Sequence, residues 1–478
     1  MKQVVLFLFC FLFTGFAEGA YTIIKGTAPS YRGDELVFKT YKDYITLDEK
    51  ELFRVKVDSS GSFYARVPVE ETLYVFIYLG IYKGHFYMEP GKEYNLIFPD
   101  KQEKTPADKT NPFFEYTEFM IGISKGGMYE LNFMIKSFDN SYYPYFNKLA
   151  MNVRGRNNPK EVERAIAEMQ KPWDTVSHPF FRQYIRYRIG MLQWLAYQHK
   201  AKAISKEYFQ HNPVLYHHIA YMDLFRQVYD KYFYYFSTTP EGKVILDDIN
   251  KKKSYSALKK SLQQDEVLQD PCLLEMVVLK NLHDNFYTDM FSREALLAVL
   301  DSLAASTAYP IHKEIASNIR GKVTSLMPGF YPPPFHLYDH TNTLKSLDDF
   351  KGYYVYLNFC ACNSYSCMKE FIMLNQLNEK YGSKVKIVSV ICDGTPQEMK
   401  DFLLKNKYRW TFLHFSNQPE ILDAYRIKAY PVYLFLDKEG RIIHSPCPSP
   451  AENFEEMLIK ILKKSGDLPS AGEGHFRK

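Results

Sequence analysis

Apolar and polar residues alternate in the N-terminal part of the chain, with the period of two that is typical of strands with one buried face. The alternation runs through residues 53–57 and again through 63–67, and turn-forming residues at 58–61 separate the two segments as in a hairpin. A continuous apolar run at 73–79 has the length of another strand. We therefore predict a β-rich N-terminal domain over residues 20–105, in which no pattern indicates catalysis.

The period of the apolar residues becomes helical between residues 110 and 326. After residue 179, apolar side chains recur at helical spacing, at positions 181, 185, 189, 192, 195 and 196. Residues 161–169 and 294–305 show a similar spacing. This pattern predicts a helical domain over residues 110–326.

Prolines at 328 and 332–334 predict a stiff linker, and beyond it the pattern alternates between strand and helix. The predicted strands are 354–359, 385–391, 432–436 and 441–444, and the predicted helices are 364–381, 397–405 and 451–464. Such alternation indicates an α/β layer fold over residues 328–466, with the first two strands parallel and the last two in an antiparallel hairpin. The predicted fold class is therefore multidomain α+β, and residues 467–478 are expected to form a disordered tail.

Residues 1–19 are not expected to belong to the fold. Lys2 precedes an apolar stretch at 4–16, and Ala17-Glu18-Gly19 has the small-x-small pattern of a cleavage site. We interpret the segment as a secretory signal peptide, which predicts an exported protein of the periplasm or cell envelope; the alternative is a retained N-terminal anchor. No later segment reaches the roughly 18 consecutive apolar residues of a membrane helix, so the mature chain is not expected to span a membrane.

Composition narrows the function classes further. Apolar residues make up 46% of the chain and charged residues 24%, which is typical of packed globular proteins and excludes wholesale disorder. The net charge of +5 is spread without long basic runs, so nothing favours nucleic-acid binding. The sequence does not determine the oligomeric state.

The cysteines are the candidate reactive groups. Six lie beyond the signal segment, and five of them fall between positions 360 and 447. In an oxidising compartment such thiols form stable disulfides, bind metal or undergo catalytic redox turnover. The six positions are Cys272, Cys360, Cys362, Cys367, Cys392 and Cys447. Cys272, in the helical region, is expected to be a buried thiol and not to take part with the other five.

The predicted strand directions bring the other five cysteines to one edge of the sheet. Reactive groups gather at the carboxyl ends of parallel strands, where Cys360 and Cys362 follow the first strand and Cys392 follows the second. If the strand after Pro431 is antiparallel to these, Pro431 and Cys447 reach the same edge. Cys367 lies about one turn into the helix that begins there. We call this edge, with its five cysteines and Pro431, the rim.

Residues 328–465 resemble a thioredoxin-fold domain of the TlpA-like or redoxin (AhpC-TSA) type. The resemblance rests on Pro-Phe-His-Leu at 334–337, Leu-Asp-Asp-Phe-Lys-Gly at 347–352, Tyr-Val-Tyr-Leu-Asn-Phe at 354–359 and Ala-Tyr-Pro at 429–431. The order of a β-rich domain, helices and then this domain resembles exported proteins of Bacteroidota type. The resemblance implies thiol–disulfide exchange without a cofactor, a cis peptide bond before Pro431, and binding of a substrate backbone at Tyr430 and Pro431.

The active-site motif departs from that family. The family pattern Phe-Trp-Ala-x-Trp-Cys-x-x-Cys corresponds here to Phe-Cys-Ala-Cys-Asn-Ser-Tyr-Ser-Cys at 359–367. Ser364 therefore stands at the position of the attacking cysteine, while Cys367 keeps the second one. A hydroxyl attacks a disulfide far less well than a thiolate, so exchange through residues 364 and 367 is excluded. Ser364 also begins the predicted helix, and we interpret it as the helix N-cap rather than as a nucleophile.

Three hypotheses for the rim remain. In the first, Cys362 or Cys360 attacks and Cys367 or Cys447 resolves, acting on protein thiols or disulfides. In the second, the domain is a catalytically inactive binding or structural module in which the cysteines are paired or simply packed. In the third, several thiolates hold a soft metal such as copper or zinc, although no histidine lies at ligand spacing beside them.

Overall fold

The computed structural model describes residues 21–105, 108, 111, 113–124, 126–151, 158–197, 201–416 and 418–468. The predicted signal peptide at 1–19 and residues 469–478 of the predicted tail lie outside this part of the chain. The described residues form two compact units, one within residues 21–102, 117–230 and 265–273, the other within 103–116, 231–264 and 274–468.

The β-rich region of the first unit consists of two sheets around one hydrophobic core. One sheet has the strand order β3-β2-β5-β6-β8 and the other the order β4-β1-β7-β9. The predicted hairpin turn ends at Gly61, whose φ of +83° is a conformation that a residue with a Cβ rarely adopts. The strands are β1 Tyr21–Thr27, β2 Glu35–Tyr41, β3 Glu49–Lys56, β4 Ser62–Pro68, β5 Leu73–Leu79, β6 Tyr82–Met88, β7 Glu93–Ile97, β8 Thr117–Met120 and β9 Gly122–Ser124.

Helices follow from residue 131 to 324, as the helical period predicts. Of the apolar stripe after residue 179, positions 181, 185, 189 and 192 are buried and positions 195 and 196 are half-buried. The helix that carries the stripe begins with Pro179 behind an N-cap at His178, whose Nδ1 accepts the N–H of Phe181. The helices are α1 Leu131–Met151, α2 Pro159–Gln170, α3 Pro179–Ala196, α4 Ala201–Tyr208, α5 Ile219–Val228, α6 Tyr232–Ser237, α7 Ile245–Asn250, α8 Tyr255–Leu262, α9 Pro271–Asn285, α10 Arg293–Ser306 and α11 Pro310–Thr324.

The C-terminal region is one seven-stranded sheet with helices on its faces, in the order β11-β10-β14-β13-β12-β15-β16. Strands β12, β13 and β14 are parallel, β15 is antiparallel to β12, and β16 is antiparallel to β15, which confirms the predicted directions. The strands are β10 Leu337–Asp339, β11 Leu344–Lys345, β12 Tyr354–Cys360, β13 Val385–Ile391, β14 Thr411–His414, β15 Val432–Leu436 and β16 Ile442–Cys447. The helices are α12 Tyr365–Tyr381, α13 Pro396–Asn406, α14 Pro419–Ala424 and α15 Phe454–Lys464.

Two hydrophobic cores lie on opposite faces of this sheet. Helices α12, α13 and α15 cover one face, while α14 and residues 335–350 pack on the other. Strand β12 is buried along its whole length, as expected of a central strand in a layered α/β fold. The order of the three regions and the thioredoxin-like topology of the last one confirm the predicted fold class, whereas the predicted boundaries between the regions stay predictions.

Within the described ranges, no helix has the length and apolar character needed to cross a bilayer.

Candidate functional site

The strand register brings the predicted rim together. Cys360 pairs with Ile391, the residue before Cys392, and Phe359 pairs with Val432, the residue after Pro431. On the next strand, Cys447 lies opposite Tyr433. The peptide bond between Tyr430 and Pro431 is cis, as the resemblance implies.

The turn between β12 and α12 holds the core of the site. The backbone N–H of Ala361 donates to Sγ of Cys367 at 3.4 Å, so the sulfur lies against the peptide group that follows Cys360 and precedes Cys362. The N–H of Ser364 donates to the carbonyl of Ala361 at 3.1 Å and closes the turn. Three cysteines are thereby gathered around one peptide group.

Ser364 occupies the N-cap position of α12, as predicted, but its side chain does not cap the helix. Its hydroxyl acts on the thiol of Cys367 instead, lowering the pKa of that thiol against the opposing effect of burial. The N-cap position is therefore as predicted, while the side chain contributes no capping hydrogen bond.

Asp393 is a site residue that the sequence argument missed. Its Oδ1 accepts the N–H of Cys362 at 2.7 Å and its Oδ2 accepts the N–H of Asn363 at 3.0 Å, and the side chain is buried. A carboxylate bound by two N–H groups holds the Cys362–Asn363 backbone in place. A sequence signal existed, because Asp393 directly follows Cys392 at the carboxyl end of β13, where the rim was predicted.

The rim thiols differ in exposure. Cys360 and Cys367 are each 1% exposed, Cys392 is fully buried, and Cys447 is 6% exposed. Cys362 is half-buried, so among the rim cysteines its thiol is the most accessible. No disulfide joins cysteines of the described residues.

Burial raises the pKa of every rim thiol. For Cys362, burial together with the negative charge of Asp393 raises the pKa to about 12. For Cys367, burial also raises the pKa, while hydrogen bonds from the Ala361 N–H and the Ser364 hydroxyl favour the thiolate and act in the opposite direction. Burial raises the pKa of Cys360 well above its usual value and that of Cys447 to about 12.

The rim cysteines differ in how strongly their thiols act on one another. The thiols of Cys360, Cys362, Cys367 and Cys392 influence one another electrostatically, whereas burial alone raises the pKa of Cys447. Cys447 therefore belongs to the rim by strand position and shares a hydrophobic core with Cys360 and Cys367, but no charge of another rim thiol contributes to its pKa.

Tyr430, beside Pro431, brings a phenol to the other side of the cluster. Among the described residues its buried hydroxyl has no hydrogen-bond partner, and burial together with the nearby thiol of Cys392 raises the pKa of Tyr430. Cys272 lies in the first unit, where its sulfur is 3.0 Å from the hydroxyl of Tyr216; it is half-buried and not buried as expected.

The placement of the described side chains does not support the hypothesis of a soft-metal site at the rim. Among the described residues, no three His, Cys, Asp or Glu side chains are placed to hold a metal ion together. His414 reaches the rim edge opposite Ile391, but its Nδ1 accepts the N–H of Ser416 at 3.0 Å.

Comparisons with known proteins converge on residues of this C-terminal region. The Redoxin family matches residues 323–457. A thiol-disulfide oxidoreductase, ResA, from Bacillus thuringiensis subsp. konkukian is 30% identical over 133 residues, which are 28% of this chain and 75% of the relative. The protein of the same name from Bacillus subtilis is 27% identical over 175 residues, which are 36% of this chain and 93% of the relative.

Two solved structures are similar to part of this chain. A thiol:disulfide interchange protein from a Bacteroides species is 23% identical, with 32% of this chain and 99% of that chain covered and a TM-score of 0.28. The thioredoxin domain of a thiol-disulfide oxidoreductase from Bacteroides vulgatus is also 23% identical, covering 29% of this chain and 99% of that chain with a TM-score of 0.27.

Proposed function

Because the chain belongs to the redoxin family of thioredoxin-like proteins, we propose that it takes part in thiol–disulfide exchange with protein substrates through the cysteines of the rim. No cofactor is needed, since a pair of thiols supplies both electrons. The observation that carries the proposal is the 3.4 Å contact between Sγ of Cys367 and the Ala361 amide, which lies between two further cysteines. A buried thiol thus packs against the turn that carries a more exposed one and acts on it electrostatically, although Ser364 replaces the usual attacking cysteine.

In this proposal, Cys362 is the attacking thiol. It is the most accessible rim cysteine, and Asp393 fixes its backbone through the 2.7 Å hydrogen bond. Its thiolate attacks one sulfur of the substrate disulfide, a mixed disulfide forms, and the first substrate sulfur leaves as a thiolate that takes up a proton.

Cys367 then resolves the mixed disulfide. The Ala361 N–H and the Ser364 hydroxyl both stabilise its thiolate. That thiolate attacks Sγ of Cys362, a Cys362–Cys367 disulfide forms, and the second substrate sulfur leaves. Two electrons pass to the substrate, so an external dithiol must reduce the pair before the next turnover.

The thiol pKa values support action as a reductant. With the pKa of Cys362 raised to about 12 and that of Cys367 also raised, the reduced pair gains no stability from thiolate formation at neutral pH. A reduced form that is not stabilised in this way gives up its electrons readily, unlike a pair with an acidic thiol. We expect a reduction potential near or below about −270 mV, together with slow direct attack.

The same burial favours a second candidate function, a catalytically inactive thioredoxin-like binding module. Cys360, Cys367 and Cys392 are almost inaccessible, and a serine stands at the attacking position. In this alternative the thiols pack as small apolar side chains.

A thiol census separates the two candidates. The full chain is equilibrated in a series of glutathione and dithiothreitol buffers, alkylated, digested, and each cysteine assigned by mass. We expect a Cys362–Cys367 disulfide that opens reversibly, and loss of exchange with a model disulfide such as oxidised insulin in Cys362→Ser and in Cys367→Ser. Cys272→Ser is the matched control and should exchange normally. If no pair opens and closes, the binding module is the working function.

Replacement of Ser364 gives an independent gain-of-function test. In Ser364→Cys a thiol stands at the start of α12 beside Cys367, where the helix N-terminus favours a thiolate. We expect the rate of insulin reduction to rise at least about tenfold, since a lower thiol pKa increases the thiolate fraction at neutral pH. Ser366→Cys, on an exposed position of the same helix, is the control and should give no increase. An unchanged rate in Ser364→Cys indicates that the rim no longer admits a disulfide substrate.

We also propose that the protein acts outside the cytoplasm, in the periplasm or cell envelope. The proposal rests on the signal-like pattern of residues 1–19. The N-terminal residue of the protein purified from its native host tests it: cleavage near residue 19 supports export, and an intact N-terminus in a cytoplasmic fraction contradicts it.

A further inference from the structure

A groove with a volume of about 470 Å³ lies in the second unit beside the rim. One wall comes from the C-terminal end of the helical region, including Tyr287 after α9 and Arg293 at the start of α10. The other wall comes from the segment that leads to Pro431, including Arg426 and Lys428, and from Val432. The groove thus joins residues that the thioredoxin-like domain supplies with residues that lie outside it in sequence.

The position of this groove links it to the thiols. Val432 pairs with Phe359, the residue before Cys360, so about 5 Å separates the groove wall from the strand that carries the first rim cysteine. Pro446, which also lines the groove, directly precedes Cys447. A polypeptide lying in the groove therefore passes beside the rim.

The charges that line the groove are all of one sign. Arg293, Arg426 and Lys428 line it, and none of its lining residues in the described part of the chain is acidic. Glu294, next to Arg293 in sequence, forms an ion pair with Lys253 at 2.5 Å. Clefts lined by one sign of charge attract segments of the opposite charge.

One of these cations is held in place. The Arg426 guanidinium donates to the hydroxyl of Tyr287 at 3.2 Å and to the carbonyl of Lys322 at 3.0 Å, and it lies 5.3 Å from the Tyr287 ring centre. The aromatic surface beside it is half exposed, with Tyr287 at 48%. The groove therefore offers a fixed cation next to apolar surface, which fits an acidic segment that also carries a hydrophobic side chain.

We propose that this groove binds an acidic segment of a partner protein and selects substrates in which acidic and hydrophobic residues flank the reacting cysteine. The selection of substrates rests on the proposed exchange function, whereas the binding itself does not. The helical region then takes part in binding the partner protein, because it contributes Tyr287 and Arg293 to the groove.

Binding is tested first, without redox chemistry. The probes are two fluorescein-labelled peptides, Glu-Asp-Leu-Phe-Asp-Glu and Lys-Lys-Leu-Phe-Lys-Lys, titrated with the full-length reduced Cys362→Ser protein while fluorescence anisotropy is recorded. We expect the acidic peptide to bind at least about tenfold more tightly than the lysine peptide, with the difference lost at about 1 M salt as charges are screened. Arg293→Glu and Lys428→Glu should each weaken binding of the acidic peptide at least about threefold. Lys405→Glu, on the exposed surface of α13, is the matched control and should bind normally.

The proposal is overturned if the two peptides bind with equal affinity. It is also overturned if Arg293→Glu and Lys428→Glu leave the affinity for the acidic peptide unchanged. A second measurement compares wild-type reduction of disulfide-linked peptides with acidic or with lysine flanks. Acidic-peptide binding without reduction of either disulfide rejects the proposed exchange function and leaves the groove assignment standing. Equal reduction of both disulfides rejects the substrate selection alone.

Discussion

The carboxylate of Asp393 influences Cys362 in two ways at the scale of single residues. It accepts the N–H groups of Cys362 and Asn363 at 2.7 and 3.0 Å, which fixes the turn that carries the accessible thiol. Its negative charge also opposes ionisation of that thiol and, with burial, raises the pKa of Cys362 to about 12. The same group therefore positions the thiol and suppresses its thiolate.

Asp393→Asn separates these two effects. The amide keeps an oxygen that accepts an N–H but removes the charge, so the pKa of Cys362 should fall from about 12 while staying above that of an exposed thiol, because burial remains. A lower pKa means that more of the thiol is ionised at a given pH. The rate at which iodoacetamide alkylates Cys362 should therefore begin to increase at a lower pH than in the wild type. The rate is measured for the Cys362 peptide by mass spectrometry across pH 7 to 10.

Asp401→Asn, on the exposed surface of α13, is the control for this prediction and should leave the alkylation profile of Cys362 unchanged. A profile in Asp393→Asn that coincides with that of the wild type would mean that the charge of Asp393 does not act on the thiol.

Helix starts shape the rim at the scale of secondary-structure elements. Two residues after Asp393, Thr395 begins α13 with reciprocal hydrogen bonds: its Oγ1 accepts the N–H of Glu398 at 3.2 Å, and the Glu398 carboxylate accepts the N–H of Thr395 at 2.6 Å. This capping box fixes the point at which the chain leaves the rim and enters the helix. The start of α12 differs, because the Ser364 hydroxyl accepts no backbone N–H and instead lowers the pKa of the Cys367 thiol against the effect of burial.

Thr395→Ala tests how much the α13 cap contributes. Loss of the Oγ1 acceptor should lower the free energy of unfolding by about 1 kcal/mol. The free energy is measured by urea denaturation under reducing conditions. Thr395→Ser keeps the acceptor and should stay close to the wild type; if serine destabilises the protein as much as alanine, the effect comes from lost packing of the methyl group and not from the cap.

At the scale of the whole molecule, a buried carboxylate outside the rim links the stability of several helices to pH. In the second unit, the buried Glu275 accepts hydrogen bonds from Tyr255 at 2.9 Å and Thr307 at 2.6 Å, and it pairs with Nδ1 of His312 at 2.8 Å. Although burial acts in the opposite direction, these partners together lower the pKa of Glu275. Three helices, α8, α9 and α11, thus share one ionised carboxylate.

Glu275→Gln should lower the free energy of unfolding at neutral pH. It should also make that free energy depend less on pH in the acidic range. A carboxylate whose pKa is lower in the folded state contributes stability above its unfolded pKa of about 4.3 and loses that contribution as the pH falls through the folded value. We expect a loss of about 2 kcal/mol at pH 7, the range for hydrogen bonds to a buried charged group. The difference from the wild type should shrink as the pH falls below about 4.3.

Urea denaturation at a series of pH values measures this difference. Glu314→Gln, an exposed position on α11, is the matched control and should follow the wild-type curve. A constant difference between Glu275→Gln and the wild type at every pH would show that packing, and not the charge of Glu275, accounts for the loss.

Local patterns along the chain were enough to predict most elements of the C-terminal region. The strands β12, β13, β15 and β16 were predicted, since their apolar runs are long and turn signals bound them. The short strand β14 and helix α14 were missed, because four and six residues are too few to show a period. These two elements stay in place through contacts with β13 and the sheet core, which no local window contains.

By itself, the sequence determined the order of the regions, the strand directions and the meeting of five cysteines and Pro431 at one edge. Periodicity depends on neighbours along the chain, and strand directions follow from whether a helix or a short turn connects two strands, so both can be worked out from residue types. Only the tertiary structure decided that the Ser364 hydroxyl caps no backbone N–H, that Asp393 binds the Cys362 turn, and how deeply each rim thiol is buried. These outcomes depend on burial and on partners from other strands, because contacts across the sheet decide where a hydroxyl, a carboxylate or a thiol finds its hydrogen bonds.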